Sequence, residues 1–188
     1  MADSGLAQSE LNLASLLLLL QLAMKKPLAL ALFLLLVSLA WMAFDGAGRQ
    51  SAPDSSFVLL DGKRQSTADF RGQVLLVNFW ATSCTTCVAE MPELVATHQK
   101  YQSRGYDTLA VAMSYDPPSY VVNFSETRKL PFKVAIDNTG AVAKAWGDVR
   151  LTPTTFLVNK QGEIVKRYVG TPDFAELNRL IERLVSES

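Results

Sequence analysis

Residues 74–92 decide the fold, and they read VLLVNFWATSCTTCVAEMP. The first seven are apolar except Asn78 and rich in β-branched and aromatic side chains, which is typical of a strand buried on both faces. A short turn follows, and then Cys84 and Cys87, the two cysteines of the chain. Helix-forming residues come next. The stretch therefore predicts a strand, a tight turn and a helix that begins next to Cys84.

This placement predicts redox chemistry for the two cysteines. The first turn of a helix presents unpaired N–H groups and the positive end of the helix dipole, and both stabilise a thiolate on Cys84. The thiolate is the form that attacks disulfides. Cys87 lies about one turn further on, where it can resolve a mixed disulfide on Cys84. We therefore expect Cys84–Cys87 to cycle between dithiol and disulfide.

Other uses of two cysteines fit the sequence less well. A structural disulfide that closes so short a loop removes little entropy from the unfolded chain. A zinc site lacks a second pair of ligands, because the chain has two cysteines and one histidine. Haem attachment requires a histidine directly after the second cysteine, where Val88 stands. No metal site is expected.

The N-terminal part of the chain is apolar and precedes the cysteines. Residues 28–44 contain no charge, which is near the lower limit of length for a helix that spans a bilayer. Lys25 and Lys26 stand immediately before them, so the positive-inside rule puts residues 1–27 in the cytoplasm. We expect one uncleaved transmembrane anchor, with everything after Asp45 on the other side of the membrane. The alternative is a signal segment that is cleaved after Ala47 or Gly48.

Two further boundaries follow from composition. A start at Met24 would place basic residues directly before the apolar run, as in a signal peptide, so Met24 is a candidate translation start. Residues 45–56 are small and polar and are expected to form a flexible linker. Residues 57–188 then form one domain with a core. The net charge of zero gives no indication of a nucleic-acid surface.

Helices and strands alternate through this domain. Helices that connect successive strands imply parallel pairing, and the turn at Gln161-Gly162 implies an antiparallel hairpin. The sequence therefore predicts an α/β domain with a mixed central sheet flanked by helices. Strands are expected at 57–60, 74–80, 107–114, 131–137, 154–159 and 163–169, and helices at 87–103, 117–128, 141–146 and 172–185.

The segment FWATSCTTCVAEMP resembles the active-site segment of the membrane-anchored thioredoxin-like proteins of the TlpA/ResA/CcmG family. The resemblance extends over residues 57–185 and implies a thioredoxin fold with an extra N-terminal strand and a central insertion. Ser83 stands where the family usually has tryptophan, and Thr85-Thr86 replace a dipeptide that normally contains proline. The positions that match the family pattern are Trp80, Cys84, Cys87, Glu90 and Pro92.

The resemblance also implies a substrate-binding site. Pro153 is expected to be cis and to pack beside the cysteines, and Thr152 to offer its backbone to an extended substrate segment. Trp80 is expected either to pack in the core or to form a wall of the site, and both roles are compatible. The alternative for Pro153 is an ordinary trans bond at the beginning of a strand.

Glu90 is the candidate acid–base group. It follows Cys87 by three residues and so shares its face of the helix. A partly buried carboxyl group has a raised pKa and can accept the proton of a thiol; the alternative is a surface glutamate. Asn78 stands where many cytosolic thioredoxins have an acidic residue, and an amide cannot relay a proton. His98 is expected on a solvated helix face and is given no role.

The expected function is that of a thiol–disulfide oxidoreductase at the bacterial inner membrane, with its domain in the periplasm. The sulfurs do the chemistry, so no cofactor is needed. The resemblance implies a reductant of protein disulfides, re-reduced by a DsbD-like or CcdA-like membrane electron donor. Its implied substrates are apocytochrome c or proteins that assemble oxidases and copper sites.

Three alternatives stay open. The first is a copper-binding assembly chaperone that uses two thiolates and His98. The second is a peroxiredoxin-like peroxidase, although Ala81 occupies the position of the threonine in the Thr-x-x-Cys motif of that family. The third is a structural domain without catalytic activity.

Overall fold

A computed structural model describes residues 34–38 and 50–187 of the chain. The chain divides into two units, residues 1–48 and 49–188. Residues 34–38 are helical, and the remainder of the predicted anchor lies outside the described residues. Within the described ranges, every helix is too short or too polar to cross a bilayer.

The folded unit begins earlier than the predicted boundary at residue 57. The N–H of Ala52 donates to the carbonyl of Gly162 at 2.8 Å, and Ala52 is buried. The carbonyl of Gln50 accepts a hydrogen bond from the N–H of Ile164, also at 2.8 Å. The described part of the predicted linker is therefore hydrogen-bonded along the domain. Its small polar composition did not reveal this contact with a distant turn.

The N-terminal element of the domain is a two-stranded antiparallel hairpin, where the sequence predicted a single strand. Its strands are β1 (Ser56–Val58) and β2 (Arg64–Ser66). A bridge from Leu59 to Ala135 joins it to the main sheet, and a 3₁₀ turn, Thr67–Phe70, leads into the central strand.

The main sheet is mixed, as predicted, and has five strands in the order β5-β4-β3-β6-β7. The central strand pairs in parallel with β4, which pairs in parallel with β5. On its other side the pairings with β6 and β7 are antiparallel. The strands are β3 (Val74–Trp80), β4 (Tyr106–Ala112), β5 (Lys133–Ile136), β6 (Thr154–Val158) and β7 (Ile164–Val169).

Within residues 50–187, four helices flank this sheet. The longest begins directly after Cys84 and is followed by a 3₁₀ turn that ends at Gly105, whose φ of 75° provides the left-handed residue that terminates it. The last helix is capped by Asp173, whose carboxylate accepts from the N–H groups of Ala175 and Glu176. The helices are α1 (Thr85–Tyr101), α2 (Pro118–Thr127), α3 (Ala141–Ala145) and α4 (Phe174–Ser186).

The central strand divides the core into two layers. All seven of its residues are buried, and successive side chains point to opposite faces of the sheet. Val77 and Phe79 pack on the layer that contains Trp146 and Phe156. Leu76 and Trp80 belong to the other layer, together with residues of α1, α2 and α4. By this alternation the side chain of Asn78 points toward α1.

Candidate active site

Cys84 and Cys87 form a disulfide at the beginning of α1. Cys84 is the N-cap residue of the helix, and its sulfur accepts a hydrogen bond from the N–H of Cys87 at 3.2 Å. The two Cα atoms are 5.2 Å apart. Cys84 is half-buried, whereas Cys87 is fully buried. The predicted position of Cys84 at a helix N-terminus is confirmed, and its sulfur is the more accessible of the two.

The loop before Cys84 is held by a buried carboxylate that the sequence did not reveal. Asp116 follows β4, and one of its oxygens accepts from the N–H of Thr82 at 2.6 Å. Its other oxygen accepts from the hydroxyl of the same threonine at 2.5 Å. Asp116 is buried. Two hydrogen bonds to one residue fix the backbone two positions before the reactive sulfur.

Glu90 lies inside the protein, one helical turn after Cys87. Its side chain is 3% exposed, so the alternative of a surface glutamate is wrong. Burial raises the pKa of Glu90 from its ordinary value of 4.5 to about 7, although the neighbouring side chains of Thr171 and Asn78 act in the opposite direction. Within the described residues its Oε2 atom has no hydrogen-bond partner. A carboxyl group with this pKa can exchange a proton near neutral pH.

Asn78 connects this carboxyl group to the sheet. Its Nδ2 donates to Oε1 of Glu90 at 3.0 Å and to the hydroxyl of Thr155 at 2.9 Å. Both hydrogens of the amide nitrogen are therefore used, and the amide acts toward Glu90 only as a donor. Asn78 orients the glutamate and stabilises its anion, so Glu90 is the group here that can gain and lose a proton.

The Thr152–Pro153 bond is cis, as the resemblance implied. Pro153 is buried and directly precedes β6, whose first residue, Thr154, pairs with Phe79 of β3. This register places Pro153 at the end of the sheet from which the chain leaves β3 toward Cys84. Thr152 is half-buried, and its hydroxyl lies 3.3 Å from that of Tyr115.

Trp80 packs in the core. It is fully buried, and its ring centroid lies 5.1 Å from that of Phe124. It belongs to the same core layer as Cys87. Of the two roles expected from sequence, the structure provides core packing, because a side chain without exposed surface offers no contact to a substrate.

The prediction for His98 is wrong. The side chain is buried, its Nδ1 lies 3.2 Å from the hydroxyl of Thr108, and its ring packs on Phe132. Burial lowers its pKa. The sequence contained the signal, because eleven residues are just over three helical turns, and His98 therefore shares the buried face of Cys87. The same spacing separates them by about 16 Å along the helix axis, which is too far for a shared metal ion.

Known proteins give the same picture. A redoxin family profile matches residues 47–181. The chain belongs to the redoxin family. This redoxin is 34% identical over 134 residues to "Thiol-disulfide oxidoreductase ResA" of Geobacillus thermodenitrificans, covering 71% of this chain and 76% of that protein.

Two solved structures are similar to this redoxin. A Neisseria meningitidis protein, provisionally described as a thioredoxin, is 42% identical with a TM-score of 0.68, covering 73% of this chain and 91% of that one. A thiol:disulfide interchange protein of the thioredoxin family from Chlorobium tepidum is 27% identical, also with a TM-score of 0.68, covering 74% and 99%. The predicted thioredoxin fold is confirmed. The protein is a thiol–disulfide oxidoreductase with Cys84–Cys87 as its disulfide.

Proposed function

We propose that this redoxin reduces disulfide bonds in protein substrates through Cys84, Cys87 and Glu90. The observation that carries the proposal is the asymmetry of the pair. Cys84 is half-buried and caps a helix, whereas Cys87 is fully buried and shares a helix face with a carboxyl group whose pKa is about 7. The accessible sulfur suits attack on a substrate. The buried sulfur suits an internal second step that needs a proton acceptor.

The reaction has two exchange steps. In the dithiol form the Cys84 thiolate attacks one sulfur of the substrate disulfide, and the other substrate sulfur leaves as a thiolate. Glu90 then accepts the proton of Cys87, whose thiolate attacks the Cys84 sulfur and releases the second substrate thiolate. Two electrons pass to the substrate and the enzyme is left as a disulfide. The two substrate thiolates take up one proton released by Glu90 and one from the solvent, which had received the Cys84 proton.

The substrate segment is proposed to pair with the backbone of Thr152 beside Pro153. What supports this is the register of β6, which brings both residues to the end of the sheet where β3 leads to Cys84. Trp80 packs in the core layer that contains Cys87. Pairing with an extended segment supplies affinity through main-chain hydrogen bonds that any sequence can make.

The place and partners of the reaction are also proposed. Residues 28–44, preceded by two lysines, support a single inner-membrane anchor with the domain in the periplasm. In that oxidising compartment a reductant must be re-reduced, which is the role of a DsbD-like or CcdA-like donor. Apocytochrome c and proteins that assemble oxidase or copper sites are the proposed substrates.

The reduction potential of the Cys84–Cys87 couple tests the direction of the reaction. Equilibration with redox buffers followed by thiol counting gives the value. A potential near that of thioredoxin, about −270 mV, supports a reductant, whereas one near that of DsbA, about −120 mV, contradicts it. Cys84→Ser is the matched control, because it leaves one thiol that cannot form the internal disulfide.

A further inference from the structure

Within residues 50–187, most of the exposed large hydrophobic side chains lie on segments next to the active site. Among residues 50–187, five large hydrophobic residues are exposed: Val58, Tyr115, Tyr120, Leu151 and Val169. Tyr115 and Tyr120 follow β4, and Leu151 precedes the Thr152–Pro153 segment. Val169 pairs with Thr154, directly after that segment. Val58, on the N-terminal hairpin, is the exception. Such clustering at one end of a soluble domain is typical of a contact surface.

A groove of about 580 Å³ runs from the cysteine loop along α2. Thr82 and Ser83 line one end of it, directly before Cys84, and Tyr115 and Tyr120 form part of its wall. These tyrosines are 58% and 63% exposed. Exposed tyrosine provides large contact area with few rotatable bonds, and it is enriched among residues that dominate binding energy.

The groove has one available charge, which is positive. Arg128 lines it at the end of α2, lies 5.6 Å from the ring centroid of Phe124, and makes no ion pair within the described residues. Asp116 is the other charged residue in the lining, but it is buried and uses both oxygens on Thr82. The surface therefore complements an occupant that carries an apolar or aromatic group and a negative charge.

We propose that this groove, defined by Ser83, Tyr115, Tyr120 and Arg128, binds the residues next to the disulfide in an extended protein substrate and selects those with an aromatic and an acidic side chain. The inference rests on the proposed function and names its substrate class. A substrate sulfur that reaches Cys84 brings its flanking chain over Ser83, and an extended chain advances about 3.3 Å per residue. Residues two to four positions from the substrate cysteine therefore reach the tyrosines.

The test uses the reduced full-length protein in detergent and four disulfide probes. Three synthetic peptides contain the same internal disulfide and carry Trp and Glu, Trp and Lys, or two Ser residues at positions two to four from one cysteine. Bis(2-hydroxyethyl) disulfide is the fourth probe and has no flanking chain. Stopped-flow tryptophan fluorescence gives second-order rate constants. Each peptide value is divided by that of the small disulfide, so that differences in folding or thiol reactivity cancel.

For the wild type, we expect the Trp/Glu peptide to exceed the Ser/Ser peptide about tenfold in this ratio. Tyr120→Ser should remove most of that preference. The wild type should also reduce the Trp/Glu peptide about threefold faster than the Trp/Lys peptide. Arg128→Gln should remove this preference for Glu over Lys and keep the preference for Trp over Ser. Two control variants lie on the N-terminal hairpin and should retain the wild-type ratios: Val58→Ser also replaces an exposed hydrophobic side chain with serine, and Arg64→Gln makes the same change of charge.

Equal ratios for the three peptides, or a Tyr120→Ser variant that keeps the wild-type preference, would overturn the groove assignment while leaving disulfide reduction intact. A wild-type protein that reduces neither the peptides nor the small disulfide would instead remove the proposed function, and this inference with it. If the wild type is dimeric and Tyr120→Ser makes it monomeric, the surface belongs to a second copy of the chain, and the substrate assignment is wrong.

Discussion

Replacing Glu90 with Gln should change how the stability of the oxidised protein depends on pH. In the folded protein burial raises the pKa of Glu90 to about 7, whereas the unfolded chain has the ordinary value of 4.5. Between these two values the folded state binds more protons than the unfolded state. The free energy of unfolding therefore falls as the pH rises through this window and levels off above pH 7.

The size of the effect follows from the same two values. Their difference corresponds to at most about 3 kcal/mol, at about 1.4 kcal/mol per pKa unit. Glu90→Gln keeps the size of the side chain and has no titrating group, so the variant should lack this part of the pH dependence. Relative to the wild type it should gain up to about 3 kcal/mol between pH 4 and pH 8.

Urea denaturation at closely spaced pH values measures both curves. Glu93→Gln is the matched control, because Glu93 is exposed on the same helix, and its curve should run parallel to that of the wild type. Parallel curves for Glu90→Gln as well would refute the reasoning. They would mean that Glu90 has its ordinary pKa in the folded protein and is not poised to accept the proton of Cys87.

Three further variants test the neighbours of the disulfide. Cys87→Ser should trap a covalent mixed disulfide between Cys84 and a peptide substrate, seen by intact-mass spectrometry; free turnover by this variant would contradict a resolving role. Asp116→Ala should leave the loop at Thr82 without its two hydrogen bonds. The variant should therefore lower the free energy of unfolding by about 1–3 kcal/mol and slow the reduction of bis(2-hydroxyethyl) disulfide. Wild-type values for both would show that the hydrogen bonds of Asp116 to Thr82 are dispensable. Asn78→Ala removes a donor that stabilises the Glu90 anion, so the pKa of Glu90 should rise further above 7. Carboxyl ¹³C chemical shifts measure this pKa, and a lower value would contradict the assigned hydrogen bond.

Sequence reasoning succeeded where the determining information is local. A run that is apolar except for Asn78, followed by a turn and helix formers, specified β3 and α1, and it placed Cys84 at the helix N-terminus. The alternating helices and strands specified the parallel pairing of β3, β4 and β5, and the turn at Gln161-Gly162 specified the antiparallel pairing of β6 and β7. These features depend on patterns within a few residues, which periodicity detects.

The rest required contacts between distant parts of the chain. The hydrogen bonds between Asp116 and Thr82 join residues 34 positions apart. Nothing in the sequence around Asp116 distinguishes it from an ordinary loop aspartate. The attachment of residues 50–52 to the turn at Gly162 is longer in range still. The burial of His98 did not require a distant contact to be known. Its helical spacing from Cys87 already indicates the buried face of α1, so the expectation of a solvated position was a misuse of the helical periodicity.

The sulfur of Cys84 has two roles at once. It is the atom that reacts, and it also caps the N-terminus of α1 by accepting a hydrogen bond from the N–H of Cys87. Inactive variants at this position are therefore not interchangeable. A serine oxygen still satisfies that N–H, whereas an alanine leaves the first turn to fray at a cost of about 1 kcal/mol. The loss of activity in an alanine variant therefore combines the absence of the reactive sulfur with a destabilised first helical turn. The serine variant removes the sulfur and keeps the capping hydrogen bond, so it separates the two effects.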